Sequence, residues 1–289
     1  MQVLEDYNQQ LRKLETQVMS ELNSALVASF NRLVRRVRAH ISMGRRDQVQ
    51  RNLALLQEFR QLIPTITPDR ADYYTSLFNR LLQQSSAKGL QSARSLTEYV
   101  RPNRLDVSLP LEATSSALLS TRERLATHGE DFAQRASQVV ARGIAEGRPT
   151  DNMVRDLTNE LGIVKSRSST IVRTESLRAY NKAADYYYGQ NNIQLVVWYA
   201  TSDDRTCPFC TPRAGNVYKR GEVEAPLHPN CRCYLAPWSA EIAEMDPDYV
   251  ATIKRHKREV KRYTVVPPPS ILNRAAIFNQ NSPTPVFSP

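Results

Sequence analysis

Four cysteines and one histidine with metal-ligand spacing lie between positions 207 and 233. In Cys207-Pro-Phe-Cys210 two thiols stand three residues apart, so both sulfurs can reach one ion from a single tight turn, with Pro208 helping to set the bend. Eighteen residues after Cys210 comes His228-Pro-Asn-Cys231-Arg-Cys233. Five donors are thus available for a tetrahedral structural site that takes four. Zinc accepts sulfur and imidazole without redox chemistry. Cys207, Cys210 and Cys231 belong to any such set, and the fourth ligand is His228 or Cys233. His228-x-x-Cys231 would form a second knuckle like the first, whereas Cys231-x-Cys233 in a strand would point both sulfurs to one face.

Weighed against zinc is the plain alternative of buried, reduced thiols with no metal. The chain has no other cysteine, and clustered cysteines in a reducing compartment read as metal ligands before they read as disulfides. A thioredoxin-like βαβ pattern, which a redox pair would want, does not surround them. Catalytic zinc needs an open coordination position, and five protein donors close it. The expectation is a structural zinc knuckle in a protein that is not an enzyme.

The elements around the knuckle follow from periodicity. Leu4, Tyr7, Leu11, Leu14, Val18, Leu22, Leu26, Phe30, Leu33, Val37 and Ile41 recur at steps of three or four, which predicts one long amphipathic helix over 3–41, with Gly44 as its stop. Further helices are expected over 47–63, ended by Pro64 and Pro68, over 69–90, and from Thr114 or Ser115. Beyond Glu130 the pattern predicts a helix ended by Gly147 and Pro149, a second capped by Thr150 and closed by Gly162, and a third from Ser166 to Gly189. Ile193 to Thr201 is the one convincing strand and leads into the knuckle. The fold class expected is mainly α (α+β). An N-terminal helical domain (1–128) precedes a small α+β zinc-knuckle domain (129–238) and an extended, basic, Pro-rich arm (239–289).

The net charge is +10, with a pI near 9.6, which favours polyanionic partners. Two clusters carry it. Arg32, Arg35, Arg36, Arg38, Arg45, Arg46 and Arg51 face only Asp47; Lys254, Arg255, Lys257, Arg258, Lys261 and Arg262 face only Glu259. The plain reading of either is a solvated face; the functional reading is contact with nucleic-acid phosphates or an acidic protein surface. The N-terminal residues are acidic where a secretory signal would be basic, and the longest apolar run, Leu195–Ala200, is far short of the ~18 residues of a membrane span. The expectation is a soluble product of a cytoplasm with no membrane partner.

Several motifs together resemble one family. They are Gly147-Arg-Pro-Thr-Asp151, Ile171-Val-Arg-Thr-Glu-Ser176 with Ala179 to Asn181, Val197-Trp198, Asp203-Asp-Arg-Thr-Cys-Pro-Phe-Cys210, Gly215, and His228-Pro-Asn-Cys-Arg-Cys233. The segment from about Glu130 to Trp238 resembles the phage Mu F-like head morphogenesis family, the minor head proteins of tailed phages. The resemblance implies a virion component inside the phage head, in several copies at the portal vertex. Its partners would be the portal protein, capsid or scaffold protein and packaged double-stranded DNA. It implies no enzymatic activity. Thr211-Pro-Arg-Ala departs from the family's more usual Leu-containing stretch.

Three further features have two readings each. Arg173-Thr174-Glu175 could be a catalytic or phosphate-binding trio, but is better read as an anchor: Arg173 and Glu175 tying the helix to the knuckle, Thr174 bonded to its own backbone. Tyr186-Tyr-Tyr188 could stack bases, but at the end of an amphipathic helix core packing is the better reading. Glu222-Val-Glu224, two acids on one strand face, resembles the acidic pair of ADP-ribosyltransferases, without a supporting arginine or serine motif. An ejected effector of that type and a DNA-binding zinc protein are the rival functions.

Overall fold

The computed structural model describes residues 2–42, 71–98, 107, 134–136, 138–139, 142–143, 146, 148, 150–201, 206–262 and 285–286. Among them the protein is mainly helical with one small antiparallel sheet. The elements are α1 (Gln2–Ser42), α2 (Ala71–Thr97), α3 (Thr150–Gln190), β1 (Leu195–Tyr199), β2 (Val217–Lys219), β3 (Tyr234–Trp238), α4 (Ala240–Met245) and α5 (Pro247–Arg262). The helix expected over 47–63, the one starting near Thr114, and the stop at Gly44 lie outside the described residues. No helix among those described is long and apolar enough to cross a membrane.

α1 follows its apolar spacing. Leu4, Leu11, Leu14, Val18, Leu22, Leu26 and Phe30 are all buried. α3 corrects the sequence reading: the break placed at Gly162 is absent, and a single 41-residue helix runs through it. A mid-helix glycine costs only about 1 kcal/mol relative to alanine. Nothing lies within 4 Å of where a Cβ on Gly162 would sit, while Leu157 and Leu161 beside it are buried. Burial of that stripe outweighs the local penalty.

The chain divides into two compact units. One comprises Met1–Lys13, Leu82–Thr114 and Arg173–Pro289; the other comprises Leu14–Leu81 and Ser115–Val172. The second unit is all-helical among its described residues. Its apolar interior includes Val18, Leu22, Leu81, Met153 and Leu157, and its ion pairs include Arg80–Glu21 at 2.6 Å and Arg148–Asp156 at 2.9 Å.

The first unit holds the sheet, in the order β2-β1-β3. Leu195, Val196 and Val197 of β1 pair antiparallel with Lys219, Tyr218 and Val217; Leu195 through Tyr199 pair with Trp238 back to Tyr234. Both faces are covered. Val196 and Trp198 join a cluster with Tyr187 and Tyr188 of α3, Ala93 of α2, and Cys210, Cys231 and Cys233. Val197 joins Leu4, Val217, Ala236, Trp238, Ile242, Tyr249 and Ile253 on the other face. Double-sided burial explains the near-continuous apolar run in β1. Gly89 permits a close crossing here: a Cβ on it would fall 2.1 Å from the Tyr180 carbonyl oxygen of α3. Tyr187 and Tyr188 are core residues, as expected.

β2 and β3 were not legible beforehand, and the extended arm expected from 239 is corrected for residues 240–262, which form α4 and α5. Ser239 caps α4, its hydroxyl accepting the Ile242 N–H at 3.1 Å. Tyr249, Ile253, His256 and Val260 are buried along one side of α5. Each of the three large side chains other than histidine contributes roughly 1.5–3 kcal/mol of burial, enough to dock a helix whose other residues are mostly charged. Glu222 and Glu224 are also corrected. They lie exposed in and just beyond the turn after β2, where Glu222 N–H donates to Lys219 C=O, and not on a strand face.

Candidate metal centre

The five donors come together. Cys207, Cys210 and His228 present ligand atoms within 4.8 Å of one another, and so do Cys210, Cys231 and Cys233. Two loops deliver them in the same way. Cys210 N–H donates to Cys207 C=O at 3.1 Å, and Cys231 N–H donates to His228 C=O at 3.1 Å. Cys-x-x-Cys and His-x-x-Cys are therefore twin turns with equal closure. After the first, Thr211–Arg213 forms a short 3-10 turn, and the buried Arg213 donates to the Phe209 carbonyl. Gly215, at φ 74°, then turns the chain into β2. Within the second, Asn230 takes φ 60°, a left-handed conformation that asparagine tolerates better than most residues.

His228 is oriented for ligation. Its Nδ1 meets the Pro229 carbonyl at 2.9 Å. That contact fixes the proton on Nδ1 and leaves Nε2 toward the sulfurs, the usual outer support of a ligating imidazole. Nε2 lies 2.9 Å from Cys207 Sγ and 3.4 Å from Cys210 Sγ. Cys210 Sγ and Cys231 Sγ are 3.8 Å apart, which is the edge of a tetrahedron with metal–sulfur bonds of about 2.3 Å. Cys233 is buried like Cys210 and Cys231, in the loop just before β3. It does not share a strand with Cys231, yet the two sulfurs and that of Cys210 lie within 4.8 Å of one another.

Mutual hydrogen bonding sets the protonation of the cluster. The bond from Cys210, aided by His228 and opposed by burial, lowers the Cys207 thiol to about 5. Cys231 is lowered too, first by Cys210 and then by Cys233 and His228. Cys210 is raised by its bonds to Cys207, Cys231 and Cys233, and Cys233 by burial. Burial opposes charge on His228, but the bonds to Cys207 and Cys231 override it and raise the imidazole to about 10. Thiolate is thus favoured at Cys207 and Cys231, and the protonated thiol at Cys210 and Cys233.

α3 holds the second loop from one side. Asn230 N–H donates to Thr174 Oγ1 at 3.2 Å. Asn181 Nδ2 donates to the Cys233 carbonyl at 3.1 Å, and its Oδ1 accepts the Leu235 N–H at 3.0 Å. Tyr188 OH reaches the Leu235 carbonyl at 3.4 Å. Thr174, Asn181 and Tyr188 are spaced by seven, so they share one helix face. This corrects the reading of the Arg173-Thr174-Glu175 anchor. Thr174, expected to bond its own backbone, makes the contact to the knuckle, whereas buried Glu175 pairs with Arg178 at 2.5 Å. Asn181 stood within a quoted motif but without a role. The signal for it was a polar residue seven positions from both Thr174 and Tyr188, on a face otherwise filled by Leu177, Tyr180 and Ala184.

Those basic residues that are described fall on two helices. Arg32, Arg35 and Arg38 are exposed on α1, and Arg38 meets Asp151 at 3.5 Å in an exposed pair. Arg36 lies in the same helix; Arg45, Arg46 and Arg51 lie outside the described residues. On α5, Lys254, Arg255 and Arg258 are exposed. Lys257 donates to Asn216 Oδ1 at 2.9 Å. Lys261 and Arg262 end the helix.

No curated protein and no solved structure matches the chain. A family model does: residues 134–236, which hold α3, β1, β2, the start of β3 and all five donors, match the family described as Phage Mu protein F like protein.

Proposed function

We propose that this chain is a head-morphogenesis protein of a tailed bacteriophage. In this reading it is a minor component inside the virion head, bound at the portal or inner capsid and touching packaged DNA. It acts as a structural adaptor and not as an enzyme. The observation that carries the reading is the family match over 134–236, whose last third contains the twin turns. The exposed bases of α1 and α5 supply sequence-independent contact with phosphate or with an acidic protein surface. Virion proteomics with a portal pull-down tests it: the chain is expected in purified heads and in the portal fraction. Its absence from both overturns the reading.

The same reading makes the centre a structural zinc site. Cys207, Cys210, His228 (through Nε2) and Cys231 would hold the ion, since the two turns are equivalent and His228 already carries its outer support. Zinc would supply cross-linking of the two loops and nothing redox-active. Cys233 then lies behind the ligands as a buried thiol. Metal analysis is expected to give one zinc per chain, retained in Cys233→Ser and lost in Cys210→Ser and His228→Ala. Retention in His228→Ala with loss in Cys233→Ser would assign the fourth position to Cys233. A folded wild-type knuckle with under a tenth of an equivalent would remove the metal from the account.

A further inference from the structure

We propose that Cys210, Cys231 and Cys233 form a second, all-sulfur coordination set within the centre, suited to a soft trivalent ion, with trivalent arsenic as the ligand class. The proposal rests on the zinc reading only for what the new ion displaces. Five donors stand where a tetrahedral zinc takes four, so one is surplus. The zinc set leaves out Cys233, yet α3 holds that residue in place: Asn181 Nδ2 donates to its carbonyl at 3.1 Å. The Cys233 sulfur lies within 4.8 Å of those of Cys210 and Cys231, and these two are 3.8 Å apart. Cys207 groups instead with Cys210 and His228. The donors are thus sorted by type, one group offering sulfur and nitrogen together and the other sulfur alone.

Softness and charge select the occupant. Soft ions favour sulfur, whereas zinc accepts sulfur and imidazole together. All three thiols are buried and belong to the apolar cluster of Tyr188, Val196 and Trp198, where net charge is costly. Three thiolates balance a trivalent ion and leave the centre neutral; around Cu(I) they would leave two negative charges uncompensated. Arsenous acid, As(OH)3, is an uncharged carrier of such an ion. Three As–O bonds break, three As–S bonds form, and each hydroxide leaves as water with a proton from a thiol or from solvent. Arsenic stays trivalent, so no oxidant or reductant is needed. Because both sets use Cys210 and Cys231, they cannot be filled together, and arsenite displaces zinc. The thiol left over is then Cys207, which is half-buried where the other three are buried.

Thiol mapping on the full-length chain tests this. Zinc is counted first. The protein is then incubated with arsenite, both elements are counted, and free thiols are trapped with iodoacetamide and located by peptide mass spectrometry. One arsenic per chain is expected, with zinc released and the label on Cys207. Label on Cys233 with arsenic bound overturns the proposal, and so does a chain that takes up no arsenic. Zinc missing at the first count, followed by arsenic with the label on Cys207, sinks the zinc reading and leaves this one standing; zinc present, followed by label on Cys233, does the reverse. A second arm uses Cys233→Ser, whose zinc set is intact. Its affinity for arsenite in equilibrium dialysis is expected to fall at least tenfold, and an affinity equal to wild type overturns the proposal.

Discussion

The two edges of the three-stranded sheet are closed by different means. On β3 the outward groups are Cys233 C=O, Leu235 N–H and C=O, and Pro237 C=O. Asn181 takes the first two, Tyr188 the third, and Tyr249 OH donates to the fourth at 2.7 Å. All are side chains from helices, all are buried, and Pro237 brings no N–H to satisfy. On β2 the Val217 carbonyl is met by a backbone N–H from a half-exposed residue far along the chain. The difference shows what each edge is for. The first is fused to the ligand-bearing loop and fixes its geometry. The second is met by one backbone hydrogen bond from Val286, whose side chain lies outside the core.

Perturbations should separate the edges. The largest effect is expected from stripping the proposed zinc, since structural zinc in small domains is worth roughly 10–16 kcal/mol of apparent binding energy. Chelation should raise hydrogen exchange at Leu235 and Cys231 by orders of magnitude while Val196 and Tyr218 change least. Uniform loosening of all three strands would erase the contrast. Acid comes next. His256 is buried on α5, stacked on Tyr199 of β1 with ring centroids 3.9 Å apart, and burial lowers it to about 4 from the usual 6.5. Between those values the unfolded chain takes up a proton that the folded one refuses, so stability is full above pH 6.5 and falls toward pH 4, by about 3 kcal/mol at most. His256→Phe keeps a stacked ring and should flatten that part of the acid slope in thermal unfolding; an unchanged slope would exonerate the histidine. Asn181→Ala leaves two buried backbone groups without their partner and should cost about 2 kcal/mol in urea unfolding. A loss under 0.5 kcal/mol would mean that water replaces the amide. Smallest is Val286→Ala, within about 0.5 kcal/mol, because only a half-exposed side chain is trimmed. A larger loss would show that β2's closure is part of the core after all.

Much of this was legible in the sequence where a single periodicity dominated. α1 read correctly because its apolar residues repeat without interruption. That the four cysteines and His228 come together was legible because their types and spacing have few other uses. α5 did not, because nine residues from Lys254 to Arg262 carry six positive charges and drown the Tyr249, Ile253 and Val260 stripe, which a buried histidine continues. β3 did not, because Pro237 argues against a strand until one knows that it faces outward on an edge. β2 is three residues long, too short for alternation to show. The Gly162 error came from treating a local penalty as decisive when long-range burial was the larger quantity.

Pro237 has a consequence for the newly made chain. α5 lies after β3 in the sequence, so β3 leaves the ribosome before the helix that supplies Tyr249. In that interval the Pro237 carbonyl would lack its partner, while Asn181 and Tyr188 of α3 are already made. Because Pro237 has no N–H, the outward donor of β3 is Leu235 N–H alone. One donor makes a poor template for intermolecular cross-β growth. The proline thus limits aggregation during synthesis, a hazard that the finished fold no longer faces.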